Sequence, residues 1–161
     1  MIIRQADERD WPLIYPFFRE IVDAGSSYAY PEGLSSEDAR PLWMGQEHVV
    51  VAEEEGSVLG SATMGANRPG RGSHVATGSF MVDPRFHGRG VGRALGSYLV
   101  DWARSRGYLA IQFNAVVETN TPAVTLWESL GFRIVGTVPE AYDHREHGLV
   151  GLHVMHRALG E

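Results

Sequence analysis

The chain has 161 residues, of which 43% are hydrophobic and 21% charged, with no cysteine and a formal net charge of −6. That size predicts one domain spanning 1–161 with a sizeable core. The acidic balance excludes a general affinity for nucleic acid, which needs an excess of Lys and Arg. The missing cysteines exclude a disulfide framework and thiolate chemistry by the chain itself.

No apolar run reaches the roughly 20 residues of a membrane helix, and "MIIRQADERDW" carries charge from Arg4 onward without an apolar secretory core. A cytoplasmic protein with no membrane partner is therefore expected. Ile2 and Ile3 open the chain. Leu13, Phe17, Ile21 and Ala24 then follow helical spacing, predicting a helix from about Asp10 to Ala24 with Gly25 as its stop. "SSYAYPEGL" (26–34) reads as a loop, closed by Ser35 or Ser36 capping a second helix through Met44. "HVVVAEE" (48–54) and "SVLGSATMGA" (57–66) then form a hairpin around Glu55-Gly56. "NRPGRGS" (67–73) is a loop, and "HVATGSFMV" (74–82) is a strand stopped by Asp83-Pro84.

Val91, Leu95, Leu99 and Trp102 mark an amphipathic helix up to Gly107, and "LAIQFNAVV" (109–117) is a buried strand. Thr121-Pro122 predicts a helix start with Thr121 as N-cap, ending at Leu130-Gly131. "FRIVGTV" (132–138) and "LVGLHVMH" (149–156) are the last strands, around a polar loop "PEAYDHREHG". The order β-α-α-β-β-β-α-β-α-β-β implies an α/β architecture, a mixed sheet with helices against it.

The chemistry concentrates in "RFHGRGVGRAL" (85–95). A dinucleotide fingerprint G-x-G-x-x-G fails because its third glycine position holds Arg93, and no acidic residue follows at the end of the next strand. The Gly-Lys-Ser/Thr ending of a Walker A loop is absent too. A flexible strand-to-helix loop is the plain alternative. The order strand, Pro84, glycine turn, helix favours an anion cradle, because the amides of Gly88 to Arg93 then point out of a helix N-terminus. Arg85, Arg89 and Arg93 add positive charge.

"HGRGVGRAL" after "FMVDP", followed by "NTPAVTLWESLGF" (120–132), resembles the GCN5-related N-acetyltransferase superfamily, and within it the small-amine enzymes of the phosphinothricin and azetidine-carboxylate type. The resemblance implies a mostly antiparallel central sheet that splays between the strands at 74–82 and 109–117. It implies acetyl-CoA in the gap and a small amine, an amino acid or analogue, as acceptor. The pantetheine arm would pair with Phe80, Met81 and Val82, the pyrophosphate would sit on the amides of Gly88, Arg89, Gly90, Val91, Gly92 and Arg93, and Asn120 would border the arm. Tyr28 and Tyr30 would lie in the loop that covers the acceptor, with Thr77 lining the cleft. A homodimer is left open.

Two positions depart from the family pattern. His87 stands where Gln or Arg is usual, which backbone binding tolerates. Trp127 stands where many members have a tyrosine that protonates the departing thiolate, and an indole is a donor with no useful acidity. Trp127 then packs against the cofactor or simply fills the core. The thiolate's proton is left to solvent, the amine itself or Tyr142. Asn114, an amide among apolar neighbours, either ties down a sheet irregularity or contacts the acetyl oxygen or the substrate. Glu118 is the best-placed carboxylate for a base, or else an exposed loop acid. His144 and His147 have metal-ligand spacing without a third ligand and read as polar loop, so no metal is expected. The competing class is a non-catalytic acetyl-CoA-binding module on the same fold. A dinucleotide oxidoreductase is the more distant alternative.

Overall fold

A computed structural model describes residues 1–160. Its elements are β1 (Ile2–Gln5), α1 (Trp11–Ala24), α2 (Ser36–Met44), β2 (His48–Glu54), β3 (Ser57–Ala66), β4 (Val75–Val82), α3 (Val91–Ser105), β5 (Ala110–Val117), α4 (Thr121–Ser129), β6 (Arg133–His144) and β7 (Gly148–Ala158). The strands form one sheet in the order β1-β2-β3-β4-β5-β7-β6. Every pairing is antiparallel except β4 with β5. The mixed, helix-flanked α/β sheet is the one expected. No helix among the described residues is long and apolar enough to cross a membrane.

One core lies between the sheet and α3, where Val91, Leu95, Leu99 and Trp102 are all buried as their spacing predicts. The other lies under α1 and α2. Here the expected face of α1 needs correction. Trp11, Ile14, Phe17, Phe18 and Val22 are buried, while Leu13 stays 52% exposed. A helix has one inward stripe, and the larger apolar area of Trp11 and Phe18 claims it from Leu13.

Two boundaries also move. The cap of α4 is Asn120, whose Oδ1 accepts the Ala123 N–H at 3.4 Å, and Thr121 is already helical. The polar segment after Val138 is strand rather than loop. β6 continues to His144 because a register shift between Val138 and Tyr142, with Glu140 at φ 50°, absorbs Pro139. Only 145–147 are left to turn into β7.

Arg4 ties β1 to its neighbours. It donates to both Asp10 carboxylate oxygens at 2.9 and 2.8 Å and to Glu53 at 2.6 Å. These bonds hold the Asp10 carboxyl below the usual carboxylate range. A lowered folded value means the contribution is complete above the unfolded pKa, about 3.9, and is lost as pH falls through the folded one. Asp10→Asn is therefore expected to lower Tm at neutral pH and to flatten its decline in acid, as thermal scans between pH 7 and pH 2 will show.

The pairing of β4 with β5 positions the site. Only Val75↔Ala110 and Ala76↔Ile111 are in register, so the strands part from Thr77 onward. Trp127 fills the gap on the α3 side, with ring centroids 4.7 Å from Phe80 on β4 and 4.7 Å from Phe113 on β5.

Candidate active site

A cavity of about 1030 Å³ runs through this splay, from the start of α3 to the loop after α1 and the end of β6. Its first end is the glycine motif. Gly88 and Gly90 have φ of 78° and 76°, and a Cβ on either would meet nothing within 4 Å. They are glycine for their left-handed backbone, not for lack of room. Gly92 serves packing instead, since its Cβ would stand 3.3 Å from Leu126. The first intrahelical bond of α3 runs from Ala94 N–H to Gly90 C=O, so the amides of Val91, Gly92 and Arg93 have no partner within the helix.

The expected ring of arginines is reduced to one. Arg85 pairs with Asp83 at 2.8 Å and Arg89 pairs with Glu54, so neither side chain lines the cavity. Arg93 does, with its guanidinium held by Ser129 Oγ at 2.9 Å.

The free edge of β4 is the middle of the site. Asp83 N–H bonds Leu59 C=O and Asn67 N–H bonds Val75 C=O, which sets the alternation along the strand. Met81 therefore pairs toward β3, whereas Gly78, Phe80 and Val82 turn their N–H and C=O into the splay. Met81 buries its side chain under α1 and lends no polar group to the cleft, which corrects its expected part in cofactor pairing. The Phe80 groups are both taken by Tyr28, whose hydroxyl accepts the Phe80 N–H at 2.9 Å and donates to the Phe80 carbonyl. Burial pushes that phenol well above its ordinary pKa.

At the other end stand Thr77, Asn114, Tyr142 and His144. Thr77 is opposite in facing to Phe80, and Asn114 to Phe113, so both look to the α1 side of the sheet. Asn114 lies in an irregularity of β5. Its Nδ2 donates to Asn67 at 2.6 Å and its Oδ1 accepts from Gln112 at 3.0 Å, so one N–H and one lone pair are left for a ligand. Tyr142 donates to the Tyr28 carbonyl at 3.2 Å and thereby fixes the loop, and its pKa is raised by burial.

His144 reads in the sequence as part of a polar loop, and the structure places it on β6 instead. It is 8% exposed and lines the cavity. Its Nδ1 accepts the N–H groups of Glu146 and His147 at 3.0 and 3.2 Å, which leaves the ring proton on Nε2. The alternation of Tyr142 and His144 was the available signal, masked by Pro139 and Glu140. No group of three His, Asp or Glu side chains suited to a metal occurs among the described residues.

Two expected residues lie elsewhere. Tyr30 does not line the cavity; it packs on Phe18 at 5.3 Å and behind Tyr28 at 5.9 Å. Glu118 is also outside it. Its backbone N–H bonds Gly151 C=O and its carboxylate takes the Gly151 N–H, clipping β5 to β7. That contact turns one carboxylate oxygen toward β7, and Glu118 does not line the cavity where a base is expected.

The loop after α1 is held over this end of the cavity by Arg145. Its backbone N–H bonds Gly25 C=O at 2.9 Å, and its guanidinium bonds the carbonyls of Asp23 and Ala24 at 3.0 and 3.3 Å and the Glu32 carboxylate. This caps α1 from another part of the chain. Arg145→Ala is expected to lower the urea midpoint of unfolding, because the last carbonyls of α1 lose their donors, while the exposed ion pair adds little. Urea unfolding will measure it.

The sequence of residues 13–132 matches the model of the Acetyltransferase (GNAT) family. A GCN5-related N-acetyltransferase structure from Kribbella flavida is 60% identical, covering 98% of this chain and 97% of that one, with a TM-score of 0.95. A phosphinothricin acetyltransferase (Pat) from Sinorhizobium meliloti, in complex with AcCoA, is 26% identical with a TM-score of 0.87, covering 99% of this chain and 89% of that one. The L-methionine sulfoximine/L-methionine sulfone acetyltransferase of Salmonella typhimurium is 30% identical over 87% of this chain and 84% of its own length. Two other curated relatives are longer, and the chain spans 41% of one and 11% of the other. The splayed sheet, the unpartnered amides in the first turn of α3 and these matches place the chain in the GNAT acetyltransferase family.

Proposed function

We propose that this chain transfers the acetyl group of acetyl-CoA, consumed as co-substrate, to the amine of a small molecule, an amino acid or amino-acid analogue. One observation carries the reading. The unpaired edge of β4, with Val82 and Gly78 open, leads directly to the unpartnered amides at the start of α3. An amide-bearing arm ending in a pyrophosphate matches that sequence of groups. The left-handed glycines leave the cradle free of side chains. The Salmonella and Sinorhizobium relatives, named for acceptors of this size, support the acceptor class.

In this reading Val91, Gly92 and Arg93 hold the pyrophosphate, Val82 pairs with the arm, and Asn120 borders it. Asn114 and His144 orient the acceptor, whose amine must be neutral to attack. The non-catalytic acetyl-CoA-binding module is the second reading, favoured by Trp127 in place of an acidic hydroxyl.

Gly90→Asn tests the cradle, because Asn tolerates a left-handed backbone while adding a side chain beside the amides. It is expected to raise the CoA Kd about tenfold in calorimetry, a loss of about 1.4 kcal/mol, with Tm little changed. An unchanged Kd speaks against the cradle.

A further inference from the structure

Trp127 stands where the family resemblance implies a tyrosine that protonates the departing thiolate, and it is packed between Phe80 and Phe113. A hydroxyl nevertheless stands in the splay. It belongs to Tyr28, in the loop after α1, and it occupies the middle rung of the free β4 edge, between Gly78 and Val82. Strands rise about 3.4 Å per residue, so Val82 lies about 7 Å along the edge from Phe80. The two methylenes, sulfur and carbonyl that follow the terminal amide of acetyl-CoA cover a similar span. An arm paired at Val82 thus brings its thioester to the Phe80 rung, where the Tyr28 hydroxyl already is.

We propose that Tyr28 is a catalytic residue of acetyl transfer, its hydroxyl turning from the Phe80 carbonyl to the thioester oxygen and stabilising the negative charge that develops there. The Phe80 N–H bonded to the phenol oxygen polarises it and strengthens it as a donor. Tyr142 on the Tyr28 carbonyl and the Tyr30 ring stacked at 5.9 Å hold the side chain in place. Burial keeps the phenol protonated at working pH, which suits a hydrogen-bond donor rather than an acid.

The bonds balance without a proton from Tyr28. The amine lone pair forms the C–N bond, and the carbonyl π pair moves onto the oxygen facing Tyr28. That pair returns as the C–S bond breaks and sulfur leaves with its electrons. The proton released by the amine passes through water to the thiolate.

This inference rests on the proposed seat of acetyl-CoA in the splay, and the test separates the two. Infrared difference spectra of carbonyl-labelled acetyl-CoA bound to the wild-type chain are expected to show the thioester stretch shifted to lower frequency. In Tyr28→Phe the shift is expected to disappear and kcat to fall about 10²–10³-fold, the loss seen for an oxyanion donor, with CoA affinity within about twofold. An unshifted stretch in the wild-type complex overturns the proposal even if the variant fails to fold. Tighter CoA binding by Tyr28→Phe with unchanged kcat also overturns it, and makes the hydroxyl a plug displaced by the arm. A wild-type chain that binds no acetyl-CoA overturns the seat itself and this inference with it.

Discussion

Trp127→Ala is expected to destabilise the protein by about 3–5 kcal/mol, the usual cost of deleting a buried indole. Trp127 is 6% exposed and wedges between Phe80 and Phe113, with Phe132 beyond at 6.0 Å. Gly96 on α3 makes room for it, since a Cβ there would lie 2.8 Å from the indole. No neighbouring side chain can collapse into that space without closing the splay. Each kcal/mol shifts Tm by roughly 2–4 °C at this chain length, so a fall on the order of 10 °C is expected in a thermal scan. Trp127→Phe keeps most of the packing and is expected to keep most of kcat, because an indole supplies no acid to lose. A folded Trp127→Phe with kcat reduced about 10²-fold contradicts the packing role.

Asn114→Ala is expected to lower kcat/KM by about 10–10²-fold, the size of effect that misplacing a reactant produces. Its partners Asn67 and Gln112 are half-buried side chains bonded to it at the surface, so no buried backbone group is orphaned and the stability cost stays below about 1 kcal/mol. Kinetics and melting temperature on one sample distinguish the roles. A destabilised variant with full activity makes Asn114 a tie for the β5 irregularity only.

Local signals carried much of this fold. The hairpin at Glu55-Gly56, the buried stripe of α3 and the glycine turn before it depend on residues close together, and all three stand where spacing put them. The splay followed from family resemblance and not from residue pattern. The misses are long-range or competitive. Nothing within α1 says that Trp11 and Phe18 outweigh Leu13. Arg89 spends its charge on Glu54 across the sheet, a pairing invisible in "HGRGVG". Glu118 is placed correctly next to the cleft strand, yet the Gly151 amide on β7 claims its carboxylate. His144 was hidden because a bulged edge strand loses the alternation that marks a strand. Tyr28 was visible as a residue but not as a partner of Phe80, which is distant in the chain.

Thiol release from acetyl-CoA across a panel of amino acids and amines tests acetyl transfer to a small amine. All 14 basic residues of the chain are arginine, so no lysine of its own can consume the acetyl group. Amine-dependent thiol release, matched by N-acetylated product in the mass spectrum, is the predicted result. Tight acetyl-CoA binding in calorimetry with no thiol released by any amine contradicts acetyl transfer and leaves the acetyl-CoA-binding module.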